Sequence, residues 1–239
     1  MNTRQPKSRT IIVTGVTSGI GRAIADCQLN AGMNIIGIGR DFSNGPYKSS
    51  QFLPYELDLS DLELTAKSIK DLANQHSDVT GIICCAGRGK FGSLEEFSYK
   101  EIQSLMDLNF TSQAYIIRGF LPNIKKLGFG DIIVIGSESA LMGGPRGSIY
   151  SASKAALRAL LQSLRAECAS KGIRVTTINP GMVDTNFFDN LDFGPGKESE
   201  NSIQASDIAQ TVSLVLGMPS GTVIDEINLS PLKKVIKKK

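Results

Sequence analysis

The chain has 239 residues, of which 41% are hydrophobic and 21% charged, with four cysteines and a net charge of +3. These values are typical of a folded protein with one large or two small domains, and the cysteines are too sparse for a disulfide framework. No apolar stretch approaches the roughly 18 residues of a membrane helix and the first nine residues contain no secretory signal, so we expect a cytoplasmic protein without a membrane partner.

Runs rich in β-branched residues alternate with helical patterns along the whole chain. The runs are continuously apolar, as in parallel strands that are covered on both faces. We predict strands over residues 10–14, 34–38, 53–57, 79–85, 131–136, 174–179 and 222–228. Helical patterns lie between them, over 20–31, 60–75, 97–127, 150–171 and 205–217. This order predicts an α/β fold with a doubly wound parallel sheet of about seven strands, helices on both faces and a single domain over 1–239.

The positive charge is concentrated at the two ends of the chain. Residues 1–9 carry three cations and residues 233–239 carry five, whereas the chain between them has 18 basic and 23 acidic residues. A nucleic-acid-binding protein usually carries its basic surface on the folded body. We therefore expect two flexible, solvated ends and no nucleic-acid partner.

A glycine-rich turn follows the first predicted strand and precedes a helical pattern. It is Thr-Gly-Val-Thr-Ser-Gly-Ile-Gly over residues 14–21. Glycines permit a tight turn, and the free N–H groups and dipole of the following helix attract the pyrophosphate of a dinucleotide. The candidate contacts are Gly15, Thr17, Ser18, Gly19, Ile20 and Gly21.

The second predicted strand leads into Gly39, Arg40 and Asp41. Dinucleotide-binding folds recognise the adenine ribose at this point, where a carboxylate suits the 2′-hydroxyl of NAD(H) and an arginine suits the 2′-phosphate of NADP(H). Arg40 therefore favours NADP(H). Asp41 would favour NAD(H) instead if the strand ended one residue later.

Tyr150 and Lys154 lie four residues apart in a helical pattern, which places both side chains on one helix face. A free tyrosine has a pKa near ~10. A nearby lysine cation and an oxidised nicotinamide ring would lower that value, so the pair suits an acid/base role. This spacing alone is common by chance.

Several motifs together resemble those of the short-chain dehydrogenase/reductase family over nearly the whole chain. They are the turn at 14–21, Asp58-Leu59 after the third strand, Asn109 in Asp-Leu-Asn, Ser137 thirteen residues before Tyr150, Asn-Pro-Gly at 179–181, and Thr185. The resemblance implies a Rossmann fold and an oxidoreductase that transfers a hydride between NADP(H) and a carbonyl compound or secondary alcohol, without a metal.

The resemblance also implies individual roles. Tyr150 would exchange a proton with the substrate oxygen, Lys154 would bind the nicotinamide ribose and lower the tyrosine pKa, and Ser137 would donate to the substrate oxygen. Asn109 would hold a water that links Lys154 to solvent. Further nucleotide contacts are implied for Asp58, Leu59, Ala86, Gly87, Pro180, Gly181, Val183 and Thr185, besides Tyr150 and Lys154.

Two further expectations follow from the resemblance. A homotetramer or homodimer would pack through the helices at 97–127 and 150–171. In addition, this chain has Cys84-Cys85-Ala86-Gly87 where the family usually has Asn-Asn-Ala-Gly. We expect two small buried apolar side chains at the cysteines, with a redox-sensing pair as the alternative.

The substrate is expected between the segment that joins Ser137 to Tyr150 and the irregular stretch 185–204. Met142 and Phe187 would line an apolar pocket, and Arg146 would either pair with a substrate carboxylate or face solvent. The C-terminal run 223–231 is similar to that of NADP-dependent 3-hydroxy-acid dehydrogenases, which favours small hydroxy acids or general carbonyls. The alternatives are a 3-oxoacyl-thioester reductase, a non-catalytic NADP(H)-binding redox sensor, and a binder of anionic surfaces through the lysine tail.

Overall fold

The computed structural model describes residues 9–43 and 47–239. Its strands are, in chain order, β1 (Thr10–Thr14), β2 (Asn34–Gly39), β3 (Phe52–Glu56), β4 (Val79–Cys84), β5 (Gly130–Ile135), β6 (Ile173–Pro180), β7 (Val183–Asp184), β8 (Phe193–Pro195), β9 (Ile203–Gln204), β10 (Glu226–Leu229) and β11 (Ile236–Lys238). Seven of them form one parallel sheet in the order β10-β6-β5-β4-β1-β2-β3. The predicted doubly wound parallel sheet is confirmed.

Helices cover both faces of this sheet. They are α1 (Gly19–Asn30), α2 (Leu62–Gln75), α3 (Tyr99–Met106), α4 (Ser112–Leu127), α5 (Ser148–Cys168) and α6 (Ala205–Gly217). One core cluster joins the sheet to α2, α4 and α5, and a second joins it to α1 and α6. Ile11, Ile12 and Val13 in β1 are all fully buried because successive side chains point into opposite cores. This explains why the strands are continuously apolar.

The structure differs from the predicted elements in three places. The predicted helical stretch over 97–127 is continuously helical from Tyr99 to Leu127, but it contains a π-helical turn at Asp107–Thr111 between α3 and α4. The last sheet strand is Glu226–Leu229 rather than 222–228, and it pairs with the end of β6. The stretch 185–204 contains the short strands β8 and β9, because distant segments supply their hydrogen-bonding partners.

The C-terminal segment, which we expected to be a flexible end, makes contacts with the body of the protein. Strand β11 pairs antiparallel with β8, and Lys233 and Lys234 form ion pairs with Glu200 and Glu138. Both lysine side chains are exposed, at 66% and 52%, and the flexibility of this end stays a prediction. The other end that we expected to be flexible, residues 1–9, lies outside the described residues except for Arg9.

Two features of the helices concern the membrane and the second subunit that we considered as partners. Across the described residues, no helix combines the length and the apolarity that crossing a membrane requires. An apolar groove of about 450 Å³ lies on the outer surface of α4 and α5, lined by side chains that include Ile117, Leu121, Leu160 and Leu164. The groove lies on the helices where we expected a second subunit to pack, and that contact stays a prediction.

A buried ion cluster joins the amino ends of the neighbouring strands β5 and β6 to Arg9, which directly precedes β1. The two carboxylate oxygens of Asp131 in β5 lie 2.7 Å from the Arg9 guanidinium and 2.6 Å from Nε of Arg174 in β6. All three side chains are at most 7% exposed. Arg174 also donates to the carbonyls of Leu216 and Met218 at the end of α6. Asp131 therefore neutralises two buried arginines, of which Arg174 ties the sheet to α6 and Arg9 donates to Thr80 in β4.

We predict that Asp131→Ala lowers the free energy of unfolding by about 3–5 kcal/mol, because it leaves two buried arginines without a counter-charge. The matched control is Asp225→Ala, which removes an exposed carboxylate that pairs with Arg165 and should cost less than about 1 kcal/mol. Urea denaturation of the three proteins measures both changes. Equal losses in the two variants would contradict a special role for the buried cluster.

Candidate functional site

The candidate residues lie at one edge of the sheet. In a parallel sheet all strands end at the same edge, so the segments that follow β1 to β6 meet there. These segments carry the predicted nucleotide contacts, and the first turn of α5 brings Tyr150 to Ser137 at the end of β5. Met142 is 82% exposed and the Leu59 side chain is buried in the core, and the roles predicted for these two residues stay predictions.

The glycine-rich turn after β1 is shaped by its lack of side chains. Gly15 and Gly19 have φ angles of +71° and +52°, which residues other than glycine rarely adopt. A Cβ at Gly15 would lie 3.1 Å from the Cα of Ala86, and one at Gly21 would overlap the Gly15 carbonyl. A Cβ at Gly19 would lie 3.4 Å from Thr185. The turn therefore packs tightly against the segments that follow β4 and β6.

The N-terminus of α1 opens from this turn without a side-chain cap, and its first turn contains no acidic residue. The first N–H groups of a helix have no partner within the helix, and the dipole attracts negative charge to them. Together with the glycines, this end of the helix fits a phosphate group.

The residues after β2 and β3 present charge at the same edge. Arg40 is the first residue after β2 and is exposed. Asp41 accepts a hydrogen bond from the N–H of Ser43 at 2.7 Å, which lowers its pKa and commits its carboxylate to the turn. Asp58 accepts from the N–H and hydroxyl of Ser60 at 2.9 and 2.8 Å. These bonds, with a smaller effect of Arg40, lower the pKa of Asp58.

Tyr150 and Lys154 are both buried, with exposures of 7% and 6%. Burial raises the pKa of Tyr150 from 10 to about 12. The nearby Glu138 carboxylate also raises this pKa, whereas the interaction with the Ser137 side chain lowers it. Burial also lowers the pKa of Lys154 from 10.5 to about 8. The Lys154 ammonium donates to the carbonyl of Ile135 at 3.0 Å.

The direction of the Tyr150 shift differs from our expectation that Lys154 would lower the tyrosine pKa. In the protein chain by itself, loss of solvation disfavours the phenolate, and this effect outweighs the opposing interactions. Tyr150 is therefore a protonated phenol at neutral pH.

Asn109 lies in the π-helical turn and is fully buried. Its amide donates to the Arg88 carbonyl at 3.0 Å and to the Ser153 hydroxyl at 3.1 Å, while its Oδ1 accepts from the Arg88 N–H at 2.9 Å. Ser153 in turn donates to the Tyr150 carbonyl at 2.7 Å. Both amide hydrogens are thus engaged, so the expected relay water would need an acceptor of Asn109, either Oδ1 or the main-chain carbonyl.

The vicinal cysteines at the end of β4 are free thiols. Cys84 is buried and Cys85 is half-buried, and burial raises the pKa of both thiols, that of Cys85 to about 12. Reactive cysteines have a lowered pKa and accessible sulfur. The structure thus favours the expected small apolar pair over the redox-sensing alternative.

The other predicted substrate residues lie on two segments that face each other. The ring of Phe187 lies 6.0 Å from that of Tyr150, centroid to centroid. Arg146 is exposed and lies 3.5 Å from the Asp192 carboxylate. The structure therefore brings Phe187 to Tyr150 and gives Arg146 an acidic partner within the chain.

Sequence reasoning missed several residues that build the site. The Thr14 hydroxyl accepts from the N–H groups of Cys85 and Ala86 at 2.9 Å each, and it thereby fixes the segment after β4. Thr14 begins the glycine-rich motif and Ser153 lies within the Tyr150–Lys154 motif, so both carried a signal. Phe91, whose ring lies 5.1 Å from that of Tyr150, belongs to no motif.

Comparison with known proteins gives concordant matches. The family model for short chain dehydrogenases matches residues 9–194. A serine 3-dehydrogenase from Rhizobium radiobacter is 30% identical over 238 residues, with 95% of each chain covered. An uncharacterized oxidoreductase from Staphylococcus epidermidis is 29% identical over 231 residues, or 95% of this chain and 98% of the relative.

A solved structure extends the similarity to three dimensions. The alcohol dehydrogenase from the archaeon Thermococcus sibiricus, complexed with 5-hydroxy-NADP, is 25% identical to this chain. The two superpose with a TM-score of 0.82 over 95% of this chain and 99% of the other.

Proposed function

The chain belongs to the short-chain dehydrogenase family, and from this premise we propose that it reduces a carbonyl compound to an alcohol with NADPH, and catalyses the reverse reaction with NADP⁺. One observation carries the proposal: Tyr150 and Lys154 are both buried one helical turn apart at the start of α5, and the buried Ser137 side chain acts on the Tyr150 hydroxyl. Two hydroxyl groups that meet at one point suit the binding of a single substrate oxygen.

Tyr150 is proposed as the proton donor in the reducing direction. Its pKa of about 12 keeps the phenol protonated at neutral pH, which suits donation to a carbonyl oxygen as negative charge develops there. Ser137 donates a second hydrogen bond to the same oxygen. NADPH supplies the hydride when it is bound.

Lys154, Asn109 and Ser153 are proposed to support this donor. With a pKa of about 8, Lys154 is largely protonated at neutral pH, and its ammonium suits the ribose hydroxyls of a nucleotide and any charge on the Tyr150 oxygen. Asn109 and Ser153 link the segment after β4 to the first turn of α5. They are positioning residues in this proposal.

The residues after β1 and β2 are proposed to bind the nucleotide, with NADP(H) preferred over NAD(H). The glycine-rich turn and the uncapped α1 fit the pyrophosphate. A Cβ at Gly39 would crowd Thr17 and would lie 3.3 Å from Phe42, so no carboxylate has room there. Arg40, exposed directly after β2, is the group proposed for a 2′-phosphate, while Asp41 accepts a hydrogen bond from Ser43 in the adjoining turn. The 5-hydroxy-NADP complex of the similar archaeal alcohol dehydrogenase supports this assignment.

We predict that Tyr150→Phe lowers turnover by about 10²–10⁴-fold, the usual contribution of a general acid. The dissociation constant of NADPH should stay within about twofold, because phenylalanine preserves the ring. The control Tyr99→Phe alters a tyrosine that is 94% exposed and should keep full activity. Near-normal turnover in Tyr150→Phe, measured by NADPH oxidation, would overturn the assignment.

We predict that Arg40→Ala weakens NADPH binding by roughly 10–100-fold, because it removes charge-assisted hydrogen bonds to the 2′-phosphate. NADH binding should change by less than about threefold, since NADH has no such phosphate. Arg165→Ala, which removes an arginine paired with Asp225, is the matched control and should affect neither. Equal losses for NADPH and NADH would refute the role of Arg40.

A further inference from the structure

Five aromatic rings form a closed circuit that includes Tyr150. Consecutive centroids are 5.1 Å apart for Phe91 and Tyr150, 6.0 Å for Tyr150 and Phe187, and 5.2 Å for Phe187 and Phe188. Phe188 and Phe193 follow at 5.9 Å, and Phe193 returns to Phe91 at 5.0 Å. All five pairs are tilted or edge-to-face, which is a favourable arrangement for aromatic groups.

The circuit is assembled from three separate segments. Phe91 follows β4, Tyr150 begins α5, and the other three rings lie between β7 and β8 or in β8. Phe91, Phe187 and Phe193 are partly exposed, whereas Phe188 is buried. A substrate whose carbonyl oxygen is bound by Tyr150 and Ser137 would therefore contact the exposed parts of these phenylalanine rings with the groups beside its carbonyl carbon.

Arg146 joins the same three segments. Its carbonyl accepts from the N–H of Gly92, next to Phe91, at 2.7 Å, and its guanidinium lies 3.5 Å from Asp192, next to Phe193. Its φ of 60° lies in the left-handed region, which residues other than glycine rarely adopt. These two contacts accompany that unfavourable backbone conformation and link Arg146 to the segments that carry Phe91 and Phe193.

The charges around the circuit oppose an anionic substrate. Arg146 pairs with Asp192, Lys234 donates to Glu138 at 2.7 Å, and the Lys239 ammonium donates to the Phe188 carbonyl, so these three cations already have partners within the chain. Glu138 directly follows Ser137 and acts electrostatically on Tyr150. A substrate carboxylate would have to displace one of these partners to reach a cation, and it would lose solvation among the aromatic rings.

We propose that the site accepts neutral carbonyl compounds that carry an aromatic or other flat conjugated group beside the carbonyl, and that it discriminates against carboxylates. This inference rests on the proposed carbonyl reduction and specifies its substrate class. It differs from the small hydroxy acids that the C-terminal run favours, and from the serine named for the relative in Rhizobium radiobacter. In this account Phe91 and Phe193 determine specificity, and Arg146 is a clamp rather than a carboxylate receptor.

Three candidate substrates allow the effect of a negative charge on turnover to be measured separately from the effect of an aromatic group. Methyl benzoylformate and benzoylformate share one aryl ketone and differ in charge, while methyl cyclohexylglyoxylate replaces the aryl group of the ester by a saturated ring. With NADPH, we expect kcat/KM for the aryl ester to exceed that for the acid by at least tenfold. The value of kcat/KM for the aryl ester should also exceed the value for the cyclohexyl ester, by about three- to tenfold. This factor corresponds to the contribution of a favourable aromatic pair.

Phe91→Leu tests the ring contact directly, because leucine retains an apolar side chain without an aromatic face. The ratio of kcat/KM between the aryl and cyclohexyl esters should fall towards one in this variant. Phe129→Leu alters a phenylalanine between α4 and β5, outside the circuit, and should keep the wild-type ratio. An unchanged ratio in Phe91→Leu would overturn the assigned role of Phe91.

The outcomes distinguish the inference from the function on which it rests. Turnover that favours benzoylformate over its methyl ester would overturn the substrate class and leave carbonyl reduction intact. Absence of turnover with all three substrates, together with absence of NADPH binding, would overturn both. Calorimetry with the Tyr150→Phe variant and NADPH gives a readout without turnover. There the ester should bind at least tenfold more tightly than the acid, and equal binding would contradict the inference.

Discussion

The burial of a phenol and an ammonium group one helical turn apart is the constraint on which the site depends. Loss of solvation raises the pKa of Tyr150 and lowers that of Lys154. The two changes favour the neutral phenol of Tyr150 and the neutral amine of Lys154. The ammonium has the carbonyl of Ile135 as a hydrogen-bonding partner rather than a carboxylate. A phenol that resists ionisation in this way is suited to give up its proton only when a stronger acceptor forms beside it.

The parallel sheet makes this arrangement possible because it brings the ends of six consecutive strands to one edge. Small residues then let these segments approach each other, as at Gly15 against Ala86 and at Gly87, where a Cβ would lie 3.1 Å from Oδ1 of Asn109. The Thr14 hydroxyl, which accepts from the segment after β4, and the donors Asn109 and Ser153 fix the segments in place. The reacting groups thus lie on rigid elements, and the residues between β6 and α6 cover them with aromatic side chains.

The sequence was sufficient for features that are local or periodic. Apolar runs predicted the strands, and the four-residue spacing of Tyr150 and Lys154 predicted a shared helix face, because both patterns arise from neighbouring residues. The pairing of β11 with β8 and the contact between Phe91 and Phe193 join segments that are distant in the chain, so no local pattern carries them. The direction of the Tyr150 shift could not be predicted either, because burial is a property of the assembled fold.

The central claim is that burial keeps Tyr150 protonated at a pH where a free tyrosine ionises, and NMR titration of the tyrosine ring carbons tests it most directly. The Tyr150 signal can be assigned from its absence in Tyr150→Phe. In the protein without nucleotide, Tyr150 should still be a phenol at the pKa of a free tyrosine, ~10, and should reach half-titration only at about 12. Half-titration of Tyr150 at or below the pKa of a free tyrosine would contradict this claim.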